Sequence, residues 1–296
     1  MRVLISGASG LIGTELVQQL RELGHEPLRL VRRPARSSDE VEWNPSKSQL
    51  SVELISTVDA VVNLAGATTG RIPWTSKYKK ELIASRLDST RTIVNAIKQA
   101  EKKPKVLVSG SASGFYGDCA NEELSENAPK GTGFLSDLAA QWEQVALEAS
   151  VDTRVVLVRT TMVMSRKLGA LGRLLPLLRL GIGGKLGSGK QWWAWISLPD
   201  EARAIIHLIQ NEATSGAYNL TAPQPATCGQ IIQELARQLH RPAFVGVPTF
   251  ALKLVLGEAA VELLLCSQKM TADRLLETGF RFEHPTLESA CAWVVA

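Results

Sequence analysis

The feature that most constrains the fold is a glycine-rich turn between an apolar stretch and an amphipathic segment near the start of the chain. Residues 3–5 predict a strand, and residues 14–23 predict a helix. Between them, Gly7 permits a tight exit from the strand, Gly10 lets a backbone amide approach a diphosphate, and Gly13 lets the helix pack against the sheet. The helix N-terminus adds unpaired N–H groups and a positive dipole end. This strand, turn and helix together predict a dinucleotide site.

The end of the next apolar run selects the form of the dinucleotide. Residues 28–31 predict a second strand, which ends in Arg32 and Arg33 with no acidic residue. A carboxylate at this position would accept hydrogen bonds from a ribose 2′-hydroxyl, whereas arginine pairs with a 2′-phosphate. The sequence therefore favours NADP(H) over NAD(H). The alternative is a solvated basic loop, because Arg36 is close in the sequence.

A later strand ends in small residues. Residues 58–66 are apolar almost throughout, as in a parallel-sheet strand that is covered on both faces. The segment ends in Leu64, Ala65 and Gly66. Open α/β sheets bind ligands at such strand ends, so we expect the cofactor to lie against this backbone.

Another strand, predicted at residues 105–109, continues into a stretch rich in glycine and serine. The hydroxyl groups of Ser111 and Tyr116 follow this strand closely and are placed to face a nicotinamide. The alternative interpretation is a polar turn without a catalytic role.

Composition and charge exclude several classes of protein. The 296 residues carry a formal net charge of +4 with scattered basic residues, so nucleic acid is not an expected partner. The cysteines and histidines are dispersed without metal-ligand spacing, which predicts reduced thiols and no metal site. Charges interrupt the apolar stretch 250–267 at roughly helical spacing, so we expect an amphipathic helix and no membrane span. The chain enters its first strand at once, so we expect no signal peptide and a cytoplasmic location.

These segments predict an α/β protein: a Rossmann doubly wound parallel sheet with a smaller, mostly helical C-terminal substrate domain. We expect the NADP-binding domain to comprise residues 1–165 with a return segment near 197–220. The substrate domain comprises residues 166–196 and 221–296 in this interpretation. Within it, the glycine-rich residues 169–189 predict a lid or substrate loop.

Several motifs resemble those of the extended short-chain dehydrogenases/reductases. They are GxxGxxG at 7–13, NLAG at 63–66, SGSASGFYGD at 109–118 and YNL at 218–220. Two further stretches, GSGKQWWAWI at 187–196 and LLETGFRF at 275–282, look like the YfcH-like branch, the atypical epimerase-family proteins with their own C-terminal domain. The similarity spans nearly the whole chain.

The resemblance implies that NADP(H) binds across the glycine turn and the ends of two strands. The residues so implied are Gly7, Ser9, Gly10, Leu11, Ile12, Arg32, Leu64 and Ala65. It also implies that Glu81 and Arg86, in the family's ExxxxR pattern, turn toward the cofactor and that Val163 approaches the nicotinamide. Ordinary extended members usually have asparagine at the position of Arg86, where a guanidinium could hold a phosphate or a substrate carboxylate.

The chain departs from the family in its catalytic helix. Typical members carry a Tyr-x-x-x-Lys pair, in which the lysine lowers the pKa of a phenol that acts as general acid or base. Those positions are Leu135 and Ala139 here, and Asp137 lies about 200° further round the helix, on another face. Ser111 matches the usual active-site serine, and Tyr116 is the candidate substitute acid, although no lysine is evidently placed to tune it.

Two functions are therefore compatible with the sequence. The first is an NADP-dependent oxidoreductase or nucleotide-sugar-type epimerase that acts on a small polar substrate, with Ser111 and Tyr116 positioning the carbonyl. The second is an NADP(H)-binding regulator without turnover, for example of cell division, whose partner surface lies on the C-terminal helices. A sensor could lose the Tyr/Lys pair and keep the glycine turn. A homodimer is also compatible, since helix pairs around a Rossmann core often mediate dimers.

Overall fold

The computed structural model describes residues 1–166 and 169–296, and its centre is a parallel sheet. The strands are β1 (Arg2–Ser6), β2 (Glu26–Val31), β3 (Glu40–Glu42), β4 (Ala60–Asn63), β5 (Val106–Ala112), β6 (Glu123–Leu124), β7 (Arg154–Thr160), β8 (Met162–Met164), β9 (Trp192–Trp193), β10 (Trp195–Ser197), β11 (Gly216–Leu220), β12 (Ala226–Thr227) and β13 (Lys269–Met270). Seven of them form the sheet, in the order β3-β2-β1-β4-β5-β7-β11, and every pair is parallel. The order reverses between β1 and β4, the place at which open α/β sheets bind ligands.

Helices cover both faces of this sheet. They are α1 (Leu11–Glu22), α2 (Val52–Ile55), α3 (Ser76–Gln99), α4 (Phe134–Leu147), α5 (Gly169–Arg179), α6 (Leu198–Gln210), α7 (Cys228–Gln238), α8 (Thr249–Leu256), α9 (Glu258–Ala260), α10 (Asp273–Glu277) and α11 (Leu287–Val295). A 3-10 turn, Ser113–Tyr116, follows β5, and a π-helical turn, Val261–Leu265, follows α9. Helices α1 and α6 pack on one face of the sheet, and α3 and α4 pack on the other. The predicted doubly wound Rossmann sheet is therefore confirmed.

The central strands are apolar along their whole length because both faces are covered. In β1, Val3 and Ile5 pack on the side of α1 and α6, whereas Leu4 packs on the side of α3. All three side chains are fully buried. Successive side chains of a strand point to opposite faces, so a strand between two helical layers has no polar face.

A separate core lies in the C-terminal part of the chain. Helices α5, α7 and α11 pack around Trp193 and Trp195. The short strand β9 pairs with β12, and β10 pairs with β8. The region is mostly helical, as predicted, and β11 falls within the expected return segment 197–220. The domain boundaries themselves stay a prediction.

Apart from the exact ends of elements, two local predictions are wrong. The segment 169–189 begins with helix α5, and not with a loop, because Leu171, Leu175 and Leu178 recur at helical spacing and are buried. The single helix expected over 250–267 is interrupted at Gly257, whose φ of +58° ends α8. Within the described residues, no helix combines the length and the apolar character needed to span a membrane.

Candidate functional site

The glycine turn after β1 has the geometry that the sequence predicts. Gly7 has a φ of +72°, and a Cβ atom there would lie 2.7 Å from the carbonyl carbon of Leu64. A Cβ atom at Gly13 would lie 2.3 Å from the oxygen of Gly7, so α1 can approach the turn only with glycine at this position. The N–H of Gly10 donates to the oxygen of Gly7 at 2.9 Å. Any larger residue at Gly7 or Gly13 would therefore force the turn open.

The N-terminus of α1 opens onto this turn. The helix begins at Leu11, so the amides of Leu11 and Ile12 belong to its first turn. No side chain of the residues that the structure describes caps the helix at Gly10. The N–H groups of this first turn are therefore available to an anion, and Ser9 is exposed beside them.

Val163 lies next to the same turn. A Cβ atom at Gly169 would lie 3.4 Å from Cδ2 of Leu11 and 3.6 Å from the oxygen of Val163, so these two residues are close neighbours. The structure thus brings the end of β8 near the start of α1. The contact between Val163 and the nicotinamide stays a prediction.

The ends of β1 and β4 are joined by a buried hydrogen-bond network. The Ser6 hydroxyl donates to Oδ1 of Asn63 at 2.6 Å and accepts from the backbone N–H of Ala65 at 3.2 Å. Nδ2 of Asn63 donates to the hydroxyl of Thr90 on α3 at 2.8 Å. This network holds the loop of Leu64, Ala65 and Gly66 at the edge of the sheet beside the glycine turn.

The two arginines after β2 differ in their partners. Arg33 makes two hydrogen bonds of 2.8 Å to the carboxylate of Glu40, which holds the pKa of that carboxyl at about 2. Arg32 is exposed and has no ion pair with any residue that the structure describes. Arg32 is therefore the arginine whose charge is available to a ligand, whereas Arg33 would have to leave Glu40.

Ser111 belongs to a buried network that connects β5, α4 and β7. Its hydroxyl donates to Oε1 of Glu143 at 2.6 Å. Arg159 completes the pair, with Nε donating to the same oxygen at 2.8 Å and Nη2 donating to Oε2 at 3.0 Å. All three residues are buried.

Tyr116 continues the same network. Its hydroxyl accepts from Nη1 of Arg159 at 2.8 Å and donates to Oδ1 of Asn219 at 2.6 Å. The side chain is fully buried, and burial raises the pKa of this phenol. The catalytic roles of Ser111 and Tyr116 stay predictions, and this geometry weighs against them, because each hydroxyl is already held by protein groups.

Sequence reasoning missed the ionic centre of this network. Glu143 and Arg159 are the groups that hold Ser111 and Tyr116 in place. The available signal was a charged residue, Arg159, directly after the apolar residues 155–158 of β7. Such a residue must find a buried partner, because an unpaired buried charge is strongly destabilising.

Helix α4 is the helix on which the resemblance expects the Tyr/Lys pair, and it carries Leu135 and Ala139 at those positions. Ala139 is buried and apolar, and Leu135 is half-buried. Asp137 is exposed and forms a 2.7 Å ion pair with Lys130 at the surface. The carboxylate of Glu262 accepts the backbone N–H of Leu135 at 3.1 Å and that of the preceding residue at the same distance. The helix start is thus capped by the C-terminal part of the chain.

The two residues of the ExxxxR pattern differ in their exposure on α3. Glu81 is exposed, whereas Arg86 is half-buried over Gly66. A Cβ atom at Gly66 would lie 3.2 Å from Cζ of Arg86. Nη1 of Arg86 donates to the oxygen of Leu82 at 3.1 Å, and its Cζ lies 5.3 Å from the ring centroid of Trp142. Burial lowers the pKa of Arg86 to about 10, which leaves it charged at neutral pH.

A glycine turn at an uncapped helix N-terminus, placed where a doubly wound parallel sheet reverses its strand order, defines a Rossmann-type dinucleotide-binding protein. Residues 3–221 match the NAD dependent epimerase/dehydratase family, and residues 247–294 match a domain of unknown function, DUF1731. The chain belongs to this epimerase family.

Similar proteins occur in bacteria and plants. An epimerase family protein of Mycobacterium leprae is 38% identical over 292 residues, which is 98% of this chain and 94% of the relative. The chloroplastic homolog of epimerase family protein SDR39U1 in Arabidopsis thaliana is 36% identical over 306 residues, covering 98% of this chain and 85% of the relative.

Solved structures show the same fold over the whole chain. Human epimerase family protein SDR39U1 (isoform 2), crystallised with NADPH, superposes with a TM-score of 0.93 at 33% identity, covering 100% of this chain and 99% of the human chain. A nucleoside-diphosphate sugar epimerase from Corynebacterium glutamicum superposes with a TM-score of 0.81 at 27% identity, covering 100% of this chain and 58% of that chain. The expected relationship to the atypical epimerase-family proteins is therefore confirmed.

Proposed function

We propose that this chain binds NADP(H) and acts as an oxidoreductase or epimerase on a small polar substrate. The observation that carries the proposal is the turn between β1 and α1. It has no room for a Cβ atom at Gly7 or Gly13, and it leaves the first amides of α1 uncapped. Support for the phosphorylated nucleotide comes from the human relative, which was crystallised with NADPH.

The residues present fit this cofactor. The amides of Leu11, Ile12 and Gly13 in the first turn of α1 would hold the diphosphate. Arg32 would pair with the 2′-phosphate, with Arg33 able to contribute only after leaving Glu40. The remaining proposed contacts are Gly7, Ser9, Gly10, Leu64, Ala65, Gly66, Glu81 and Val163. Arg86, also implied by the resemblance to turn toward the cofactor, could hold either a cofactor phosphate or a charged group of the substrate. Bound NADP(H) supplies hydride transfer.

The chain has to orient the substrate without the usual proton donor. Leu135 and Ala139 offer no ionisable group to a carbonyl oxygen. In the proposed enzyme, Ser111 and Tyr116 keep the end of β5 in place through Glu143 and Arg159. Their direct action on a carbonyl remains a separate prediction, which the Tyr116 variant tests.

The test of cofactor binding is a parallel titration with NADPH and NADH, followed through nicotinamide fluorescence excited by tryptophan. We expect NADPH to bind more tightly and Arg32→Ala to remove the preference. Loss of one charge-assisted contact costs about 1.5–3 kcal/mol, or roughly tenfold or more in Kd. Arg36→Ala is the matched control, since Arg36 is another exposed arginine of the same loop. Failure of both nucleotides to bind would refute the proposal.

A regulator without turnover is the second candidate, and an exposed apolar surface favours it. On α8, Phe250, Leu254 and Val255 are 73%, 83% and 73% exposed. Large exposed apolar groups commonly mark interaction surfaces. The partner surface that the sequence predicts on the C-terminal helices would include this helix.

Turnover separates the two candidates. The protein is incubated with NADPH and a panel of small carbonyl compounds, and nicotinamide absorbance is followed. Oxidation that requires both protein and carbonyl compound supports the enzyme. Bound NADPH that never turns over, together with a co-purifying protein that is lost in Leu254→Gln, supports the regulator. The cytoplasmic location and the homodimer also stay predictions.

A further inference from the structure

The loop after β4 is surrounded by arginines from three different parts of the chain. Arg86 on α3 lies over Gly66 at one end of the loop. Arg173 on α5 donates from Nη2 to the oxygen of Gly70 at 2.8 Å at the other end. Arg71 belongs to the loop itself, with its Cζ 4.9 Å from the ring centroid of Tyr78.

These arginines lack acidic partners. Among the described residues, no carboxylate oxygen lies within 4.0 Å of a nitrogen of Arg71, Arg86 or Arg173, although several other surface arginines are paired. Arg86 is the most informative of the three, because it is half-buried and, among the described residues, only one of its N–H groups donates to a protein acceptor. A guanidinium has five N–H donors, so Arg86 retains donors for a ligand.

The loop between these arginines is held firmly against α3. The backbone N–H of Ala67 donates to the hydroxyl of Ser85 at 2.9 Å. Nε1 of Trp74 donates to the oxygen of Thr69 at 2.9 Å, and the Tyr78 hydroxyl donates to the oxygen of Thr68. The positions from which the arginines extend are therefore defined before any ligand binds.

Two of these arginines lie on or beside elements that the sequence links to the substrate. Arg86 packs beside Trp142, which lies one helical turn beyond Ala139 on α4, the helix that carries the catalytic pair in related enzymes. Arg173 comes from α5, within the predicted substrate domain. The diphosphate and the 2′-phosphate of NADP(H) already have the α1 N-terminus and Arg32 in the proposed function.

We propose that Arg71, Arg86 and Arg173 form a binding site for a small substrate that carries two or more negative charges as phosphate or carboxylate groups. Arginine holds both groups through paired N–H donors. This inference rests on the proposed function, since it names the class of substrate that reaches the bound cofactor.

The test is calorimetric titration of the NADPH-saturated protein with inorganic pyrophosphate and, separately, with citrate, at constant ionic strength. The two probes distinguish a phosphate site from a carboxylate site. We expect at least one probe to bind, with Kd raised tenfold or more in Arg86→Met and several-fold in Arg71→Gln and Arg173→Gln. Arg91→Gln is the control, because Arg91 lies on the same helix with Asp88 as its partner and should leave Kd unchanged.

Thermal unfolding is measured first in every variant and reports whether the variant has folded, and NADPH affinity is measured next. If Arg86→Met is unfolded, Arg86→Lys replaces it, keeping the charge while losing the paired donors. The proposal is overturned if neither probe binds, if the probes bind only without NADPH, or if the Arg86 variants weaken NADPH as much as the probe. If wild-type protein binds no NADPH but binds a probe through Arg86, the proposed cofactor fails while the anion site stands.

Discussion

Glu143 and Arg159 form a two-point ion pair in the interior, with nitrogen–oxygen distances of 2.8 and 3.0 Å and side-chain exposures of 8% and 5%. Glu143 belongs to α4 and Arg159 to β7, so the pair ties a helix of one sheet face to a strand end. Ser111 donates to the carboxylate, and Tyr116 accepts from the guanidinium. The pair therefore fixes both predicted catalytic residues at once.

We expect Glu143→Gln to lower the free energy of unfolding by about 3–5 kcal/mol, because it leaves the buried Arg159 without its counter-charge. Chemical denaturation measures this loss. Glu148→Gln is the matched control, since Glu148 follows the same helix and pairs with Lys98 in an exposed position. Its cost should stay below about 1 kcal/mol. Equal losses in the two variants would contradict the structural role of the buried pair.

Tyr116→Phe removes the hydroxyl that links Arg159 and Asn219. We expect the free energy of unfolding to fall by about 1–3 kcal/mol, because two buried groups lose a hydrogen-bond partner. Turnover, measured on any carbonyl compound that the protein reduces, should persist at a temperature where the variant is folded. A loss of roughly 10²–10⁴ in kcat without a loss of stability would instead identify Tyr116 as the general acid.

Glu201 on α6 makes the stability of the protein depend on pH. Its carboxyl is fully buried, Oε1 accepts from the Thr160 hydroxyl at 2.7 Å, and Oε2 has no partner among the described residues. Burial raises the pKa of this carboxyl from 4.5 to about 8. Between these two pKa values, the folded state keeps a proton that the unfolded chain has released. The free energy of unfolding therefore falls as pH rises from 4.5 to about 8, by up to about 1.4 kcal/mol per pH unit.

The measurement is the free energy of unfolding at pH 5 and pH 8 for wild type and Glu201→Gln. We expect the variant to lose less stability than wild type between the two values. Glu212→Gln serves as the control, because Glu212 is exposed and pairs with Lys105 at the surface. If the Glu201 variant keeps the full pH dependence, this carboxyl is not the responsible group.

Replacing either of two glycines of this turn by alanine should affect stability and NADPH binding differently. In Gly13→Ala, the Cβ atom meets the oxygen of Gly7 at 2.3 Å, so we expect a loss of about 1–3 kcal/mol in stability. In Gly10→Ala, the nearest atom is 3.2 Å away, so the fold should tolerate the change while NADPH, which must approach this backbone, binds less tightly. Thermal unfolding and NADPH titration separate the two effects. Unchanged NADPH affinity in Gly10→Ala would place the diphosphate elsewhere.

The local features of the nucleotide half could be predicted because short-range patterns encode them. The strand and the helix within residues 2–22 follow from the spacing of their apolar residues. The turn between them follows from the lack of room for a Cβ atom at Gly7 and Gly13. The strand end at Leu64 follows from the same rules, since parallel strands deliver their carboxyl ends to one edge of the sheet. The helix start was misplaced, at residue 14 and not at Leu11, because no side-chain cap marks it.

The partners of Ser111 and Tyr116 could not be predicted, because they come from distant segments. Asn219 lies 103 residues beyond Tyr116 and meets it only through the packing of β11 beside β7. Helix α5 was hidden by the surrounding glycines, and the break at Gly257 by the helical spacing of the charges on either side of it. In each case tertiary packing, or one residue with a positive φ, determined a structure that differs from the one that the average composition of the segment indicates.

The carboxylate of Asp200 joins α6 to a segment that is made much later in the chain. It is fully buried and accepts the backbone N–H of Glu283 at 2.7 Å and of His284 at 2.9 Å. During synthesis on the ribosome, α6 emerges long before these two donors. Until they are made, the Asp200 carboxylate has the Ser197 hydroxyl and Arg203 as partners but lacks two of its backbone donors. The native surroundings of α6 are thus completed by residues that are made 83 and 84 positions later in the chain.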